Sequence, residues 1–218
     1  MKFHHHRDND ITSGILHVFG IGLSIVALVM LILLAVKQGT VMHVVTFSIF
    51  GSGLILLYTI SSLYHLIPRR APRAKSLFQR LDYSMIFIFI AATYTPVCLL
   101  KLQGAWGWSI FGVVWGMAII GVVLKNVFPR MPGWVPAIKY LIMGWIVVIA
   151  IVPLWQALSL PALGWIFLGG LFYTVGVIFH GLDKFTPRMK IFGMHEVFHV
   201  FVLAGSFSHF WVIYNYLV

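Results

Sequence analysis

A bundle of seven transmembrane helices is predicted by three features of this chain. Its apolar runs are long enough to cross a bilayer, they are almost free of charge, and the basic residues are confined to the short segments between them. The 218 residues are 61% hydrophobic and 9% charged, with a mean hydropathy of +0.98. A soluble domain carries roughly 25% charged residues, so no water-soluble packing hides this much apolar surface and lipid must cover the outside. The length predicts one domain, 1–218. A net charge of +10 would suggest nucleic acid in a soluble protein. In loops between apolar runs it predicts contact with membrane lipids, and no nucleic acid. The single cysteine, Cys98, excludes an internal disulfide and a cysteine-based zinc cluster.

The spans fall at about 14–36, 41–66, 81–100, 106–127, 134–155, 161–181 and 193–217. The first extends well past the apolar core of a signal peptide and has no small-residue cleavage site at its end, so it reads as a span. Asp10, Thr12 or Ser13 can cap it, and Pro132 and Pro161 sit at or just before later helix starts, where a missing N–H does no harm. Trp106, Trp108, Trp134 and Trp165 near span ends read as interfacial anchors. Short loops make successive helices antiparallel neighbours. His4, His5 and His6 follow the first residue in the manner of a tag remnant and are set aside.

Orientation follows from lysine and arginine. Lys2, Arg7, Arg69, Arg70, Arg73, Lys75, Arg80, Lys125, Arg130, Lys139, Lys184, Arg188 and Lys190 fall on one side, and only Lys37 and Lys101 on the other. This places the N-terminus in the cytoplasm and the C-terminus outside, in a multi-pass protein of a bacterial-type plasma membrane. All five acidic residues, Asp8, Asp10, Asp82, Asp183 and Glu196, then lie on the cytoplasmic side.

The histidines carry the chemistry. His43 and His209 fall toward the outer half; His17, His65, His180, His195 and His199 fall toward the inner half. His195 and His199 are one helical turn apart and face the same way. With Glu196 they match H-E-x-x-H, in which two histidines bind zinc and the glutamate is a general base. The usual downstream third ligand is missing: no acidic residue follows His199, Gly205 occupies the six-residue offset, and His209 is about 15 Å along the axis. The third ligand must therefore lie upstream, and depth selects His65, at the inner end of the second span. Asp82 lies in the same layer, just inside the third. Three neutral imidazoles plus a water make a catalytic-type zinc site with one open position. Asp82 can position or deprotonate that water, and Ser61, one turn before His65, can hydrogen-bond the water or a substrate carbonyl.

The runs Ser61-Ser-Leu-Tyr-His65, Leu81-Asp82-Tyr83-Ser84 and His195-Glu-Val-Phe-His199, the last followed by Val202-Leu-Ala-Gly-Ser206 and His209-Phe, resemble the hemolysin III family. The opening Ile11-Thr12 through His17 to Gly20-Ile-Gly22 resembles the start of that family, with its usual Thr-His adjacency loosened. Hemolysin III belongs with the progestin and adipoQ receptors, which include the adiponectin receptors. The resemblance covers essentially the whole chain. It implies a seven-helix fold with zinc held by His65, His195 and His199 and with Asp82 near the metal water, and it places the family beside the alkaline ceramidases.

The expected function is a zinc-dependent membrane hydrolase acting on a lipid amide or ester at the cytoplasmic leaflet, with a zinc ion as cofactor. The alternative is a cytolytic or receptor-like membrane-homeostasis protein in which the zinc is structural. An intramembrane protease using Glu196 ranks third, because the downstream ligand is absent; Glu196 is also turned about 100° from His195, away from the ligand face, and reads as a surface or supporting residue. His17, His43, His180 and His209 read as helix–helix contacts. Gly205 and Ser206 read as small residues that allow close approach, and Asp82 has Arg80 as a rival partner.

Reporter fusions test the orientation. A reporter active only outside the cytoplasm should score positive at Gly39 or Gln103 and negative at Arg70. The reverse pattern inverts the topology.

Overall fold

The computed structural model describes residues 7–102, 104–128, 134–183, 185 and 192–218, except for the side chains of 7–10 and 134. The expectations for Lys2, His4, His5, His6, Arg130, Pro132, Lys184, Arg188 and Lys190 lie outside the described residues. So do those for the side chains of Arg7, Asp8, Asp10 and Trp134.

Lipid offers backbone groups no hydrogen bonds, so a crossing segment must satisfy its own N–H and C=O groups, and helices do this. The described residues contain no strand, and seven of their helical stretches are long and apolar enough to cross a membrane. They are α1 (Arg7–Gln38), α2 (Val41–Leu66), α3 (Pro72–Pro96) with a π-helical continuation Val97–Leu102, α4 (Gly104–Val127), a fifth span, α7 (Leu160–Leu182) and α8 (Met194–Tyr216). The fifth span is α5 (Trp134–Trp145), a 3₁₀ stretch Ile146–Ala150 and α6 (Ile151–Ala157). The protein is an all-α, multi-pass integral membrane protein in contact with lipid. Ile15, Phe19, Val26 and Val36 on α1 are among the large apolar side chains left exposed for it.

Helix ends follow local chemistry. Thr12 and Ser13 do not cap α1; they lie inside a helix that begins at Arg7. A helix continues past its apolar stretch as long as its hydrogen-bond ladder does. For the same reason α3 starts at Pro72, well before the apolar run, with proline at its N-terminal position. At the end of α2 the Lys75 ammonium donates to the carbonyls of Tyr64 and His65. These are orphan acceptors at a helix C-terminus, where a cation is favoured. Pro161 lies in the first turn of α7, as expected.

The fifth span breaks for an identifiable reason. The Tyr94 hydroxyl donates to the Gly144 carbonyl and accepts the Val147 N–H at 2.9 Å. A side chain inserted into the ladder interrupts α-helical pairing, and the tighter 3₁₀ stretch follows.

α1 packs on α2 and α8, α2 on α3, and α7 on α8. The core is built on Phe47, Phe50, Tyr58, Met143, Leu154 and Ile213. Gly205 allows α8 to approach α7: a Cβ there would come within 2.7 Å of the Tyr173 ring. Ser206 does more than save space. It accepts the Tyr58 hydroxyl at 2.8 Å and is hydrogen-bonded to the Tyr173 hydroxyl at 3.1 Å, joining α2, α7 and α8. His43 is an interhelical tie as expected, with Nε2 3.0 Å from the Leu217 carbonyl. Trp106 and Trp108 are exposed, whereas Trp165 packs on Phe207 and Trp211.

Gly205→Ala should lower the thermal unfolding temperature in detergent by the equivalent of about 1–3 kcal/mol, the cost of an overpacked contact. Gly22→Ala, where an added Cβ meets nothing within 4 Å, should be neutral or stabilising by up to about 1 kcal/mol.

Candidate metal centre

Four elements meet where α2 finishes and α3 and α8 begin. The last turn of α2 presents His65, and the first turns of α8 present His195 and His199, with α1 and α3 packed beside them. One ligand atom from each of His65, His195 and His199 lies within 4.8 Å of the others. His195 Nε2 and His199 Nε2 are 3.0 Å apart. Two nitrogens bound tetrahedrally to zinc at about 2.0–2.1 Å sit roughly 3.3 Å apart, so small ring movements would suit the group to such an ion. The rings of His65 lie 5.3 Å and 5.1 Å from those of His195 and His199. This largely buried group could hold a metal ion.

From sequence His17 reads as a helix–helix contact, but its Nε2 is 2.7 Å from His199 Nδ1. One nitrogen of His199 therefore faces the cluster while the other is held from α1. A partner on the far nitrogen sets the ring's tautomer and orientation. The signal was present in the sequence: His17 shares the depth of the cluster, and Ser13 precedes it by one turn on the same face.

Ser13 accounts for Glu196. Glu196 is fully buried, with 0% exposure, so it is not a surface residue. Its Oε1 accepts the Ser13 hydroxyl at 2.7 Å, and its Oε2 accepts the Gly193 N–H at 2.8 Å. The carboxylate thus caps the start of α8, where the helix dipole favours an anion, and locks α8 to α1. It is turned from the histidine group, with both oxygens already hydrogen-bonded.

A cavity of about 320 Å³ opens beside the group, and Ser61, His65, Asp82, His195 and His199 all line it. The Ser61 hydroxyl lies close to the Asp82 carboxylate, and both face the cavity, whereas Arg80 is not among its lining residues. His180 lines the same cavity with its ring 5.4 Å from that of His195. His209 lines it too, and stacks on Tyr173 at 5.8 Å. For these two histidines the reading as helix contacts is incomplete, because both also face the cavity.

Residues 5–210 match the family described as Haemolysin-III related. The chain belongs to that family. It is 37% identical over 209 residues to Hemolysin-3 of Bacillus cereus, covering 96% of this chain and 92% of that protein. It is also 37% identical over 209 residues to the Hemolysin-3 homolog of Bacillus subtilis (strain 168), covering 96% and 94%. The Monocyte to macrophage differentiation factor of Homo sapiens is 27% identical over 176 residues, 79% of this chain and 71% of that one. The sequence motifs and the family match therefore agree. The match extends over all four helices that bring residues to the histidine group of this haemolysin-III related protein.

Metal binding should separate the histidines. His195→Ala should abolish binding by elemental analysis. His17→Ala should weaken it about 10–100-fold, the usual effect of removing a ligand's orienting partner. His43→Ala should leave it unchanged.

Proposed function

We propose that this haemolysin-III related protein is a zinc-dependent hydrolase that cleaves an amide or ester bond of a membrane lipid. The observation that carries the proposal is the shared cavity. Three imidazoles able to hold one ion, a carboxylate and a hydroxyl line a space whose other walls are mainly apolar. Three nitrogen ligands favour zinc among the common divalent ions. A zinc ion held by His65, His195 and His199 would polarise a carbonyl and bring the pKa of its water to about 7.

The chain's own groups supply the rest. Asp82 takes a proton from the attacking water and returns it to the leaving amine or alcohol as the carbonyl carbon–heteroatom bond breaks. Ser61, close to Asp82, steadies that carboxylate by donating its hydroxyl hydrogen. To serve the oxyanion instead, its hydroxyl has to turn away from Asp82. The apolar walls take the acyl chain, and the positive-inside pattern of the loops puts the site in the cytoplasmic leaflet.

In a second reading the chain is cytolytic or receptor-like and zinc only staples α2 to α8; the names of the two Bacillus relatives support its cytolytic form. Asp82→Asn discriminates. Under the hydrolase reading it lowers kcat on amide- or ester-linked lipids about 10²–10⁴-fold, with metal content and unfolding temperature retained. Unchanged lipid cleavage removes Asp82 from the acid–base role; cleavage absent from the native protein while vesicles still leak favours the structural reading.

A further inference from the structure

α8 connects two ends of the cavity. His199 and His209 both line it, and the ten residues between them set their positions about 15 Å apart along the helix axis. Leu57, Phe89, Ile166 and Val202 contribute apolar wall. His209 interrupts that wall far from the metal centre. Its ring is stacked on Tyr173 with the planes 14° apart. It also seats against Gly169, where a Cβ would come within 2.7 Å of His209 Nε2.

Three other polar side chains of the lining have partners within the protein. The Tyr173 hydroxyl is bonded to Ser206 at 3.1 Å, Thr174 donates to the Gly170 carbonyl at 2.8 Å, and Thr93 to that of Phe89 at 2.8 Å. His209 has no hydrogen-bond partner among the described residues. Its nitrogens are not among the fully enclosed atoms that lack a partner, so they remain accessible. A polar ring in an apolar wall is costly unless something hydrogen-bonds it, and a ligand that reaches it through the cavity supplies that bond.

We propose that His209 is the recognition group of a distal subsite. It selects a single aliphatic chain bearing a hydroxyl roughly 15 Å from the bond held at the histidine group. That distance is about a dozen carbons of an extended chain with C–C bonds near 1.5 Å. A neutral imidazole offers one donor and one acceptor nitrogen, so it can donate to a hydroxyl or accept from it. A chain ending in methyl leaves it unpaired. The inference rests on the proposal that the cavity takes an acyl chain with its carbonyl at the metal centre.

The test is equilibrium binding of dodecanoate, 6-hydroxydodecanoate and 12-hydroxydodecanoate to the metal-loaded protein in lipid nanodiscs. These probes have no bond to hydrolyse. The ratio of 12-hydroxydodecanoate to dodecanoate affinity should be about tenfold higher in the native protein than in His209→Phe, the worth of one buried hydrogen bond. The phenyl ring keeps the stacking on Tyr173, and unfolding temperature checks its fold. His209→Asn should restore part of the preference, and 6-hydroxydodecanoate should gain nothing. Equal ratios in native protein and His209→Phe, an equal gain for the 6-hydroxy chain, or no binding of any chain overturns the subsite. Lipid cleavage without the preference removes the subsite and leaves the hydrolase; the preference without cleavage removes the hydrolase alone.

Discussion

The seam between α1 and α8 holds the first and last helices together through two polar contacts one turn apart. Ser13 donates to Glu196, and His17 bonds His199. All four side chains are buried, with exposures of 0–3%. In a bilayer there is no water to satisfy such groups, so each must find its partner in protein. Interhelical hydrogen bonds between membrane helices average only about 0.6 kcal/mol, so what this pair contributes is geometry. It sets the rotation of α8 about its own axis, and that rotation aims His195 and His199 at His65. A different rotation would point the carboxylate inward and the imidazoles at lipid.

The same seam explains why an H-E-x-x-H run does not behave here like its counterpart in soluble metalloproteases. Side chains at positions one apart on a helix diverge by about 100°. With the two histidines facing the cavity, Glu196 necessarily meets α1, where the Ser13 hydroxyl and the Gly193 N–H use both of its oxygens. The carboxylate that lines the cavity is Asp82, brought in from α3 with Ser61 of α2 close to it.

The cavity itself arises from interruptions of regular helix. Tyr94 enters the ladder of the fifth span at Gly144 and Val147, and all three residues line the space. Backbone that leaves the α-helical pattern at membrane depth is tolerated where it is buried in protein or lines a cavity. Gly169 and Gly205 act where α7 meets α8. One makes room for the His209 ring and the other for Tyr173, so that α7 and α8 can close while two aromatic rings remain between them.

The sequence by itself determined the number of crossings, their order and the identity of the central histidines. Each of these depends on a property repeated along the chain: hydropathy over about twenty residues, or the turn-spacing of His195 and His199. Depth, read from those spans, was enough to select His65 and Asp82. Only the tertiary structure decided which way each side chain faced, because two residues at one depth can lie on opposite sides of a helix. His17 has the depth of the cluster and reads as a packing residue, yet it holds a candidate ligand. Glu196 was allowed a place on the surface, yet it is fully enclosed. Ser206 passed for a space-saver and turned out to join three helices. Thr12 and Ser13 looked like caps because a sequence shows where apolar residues begin, not where a hydrogen-bond ladder begins. Rotation about the helix axis is set by partners distant in sequence, here 182 and 183 residues away for the seam. No local pattern reports it.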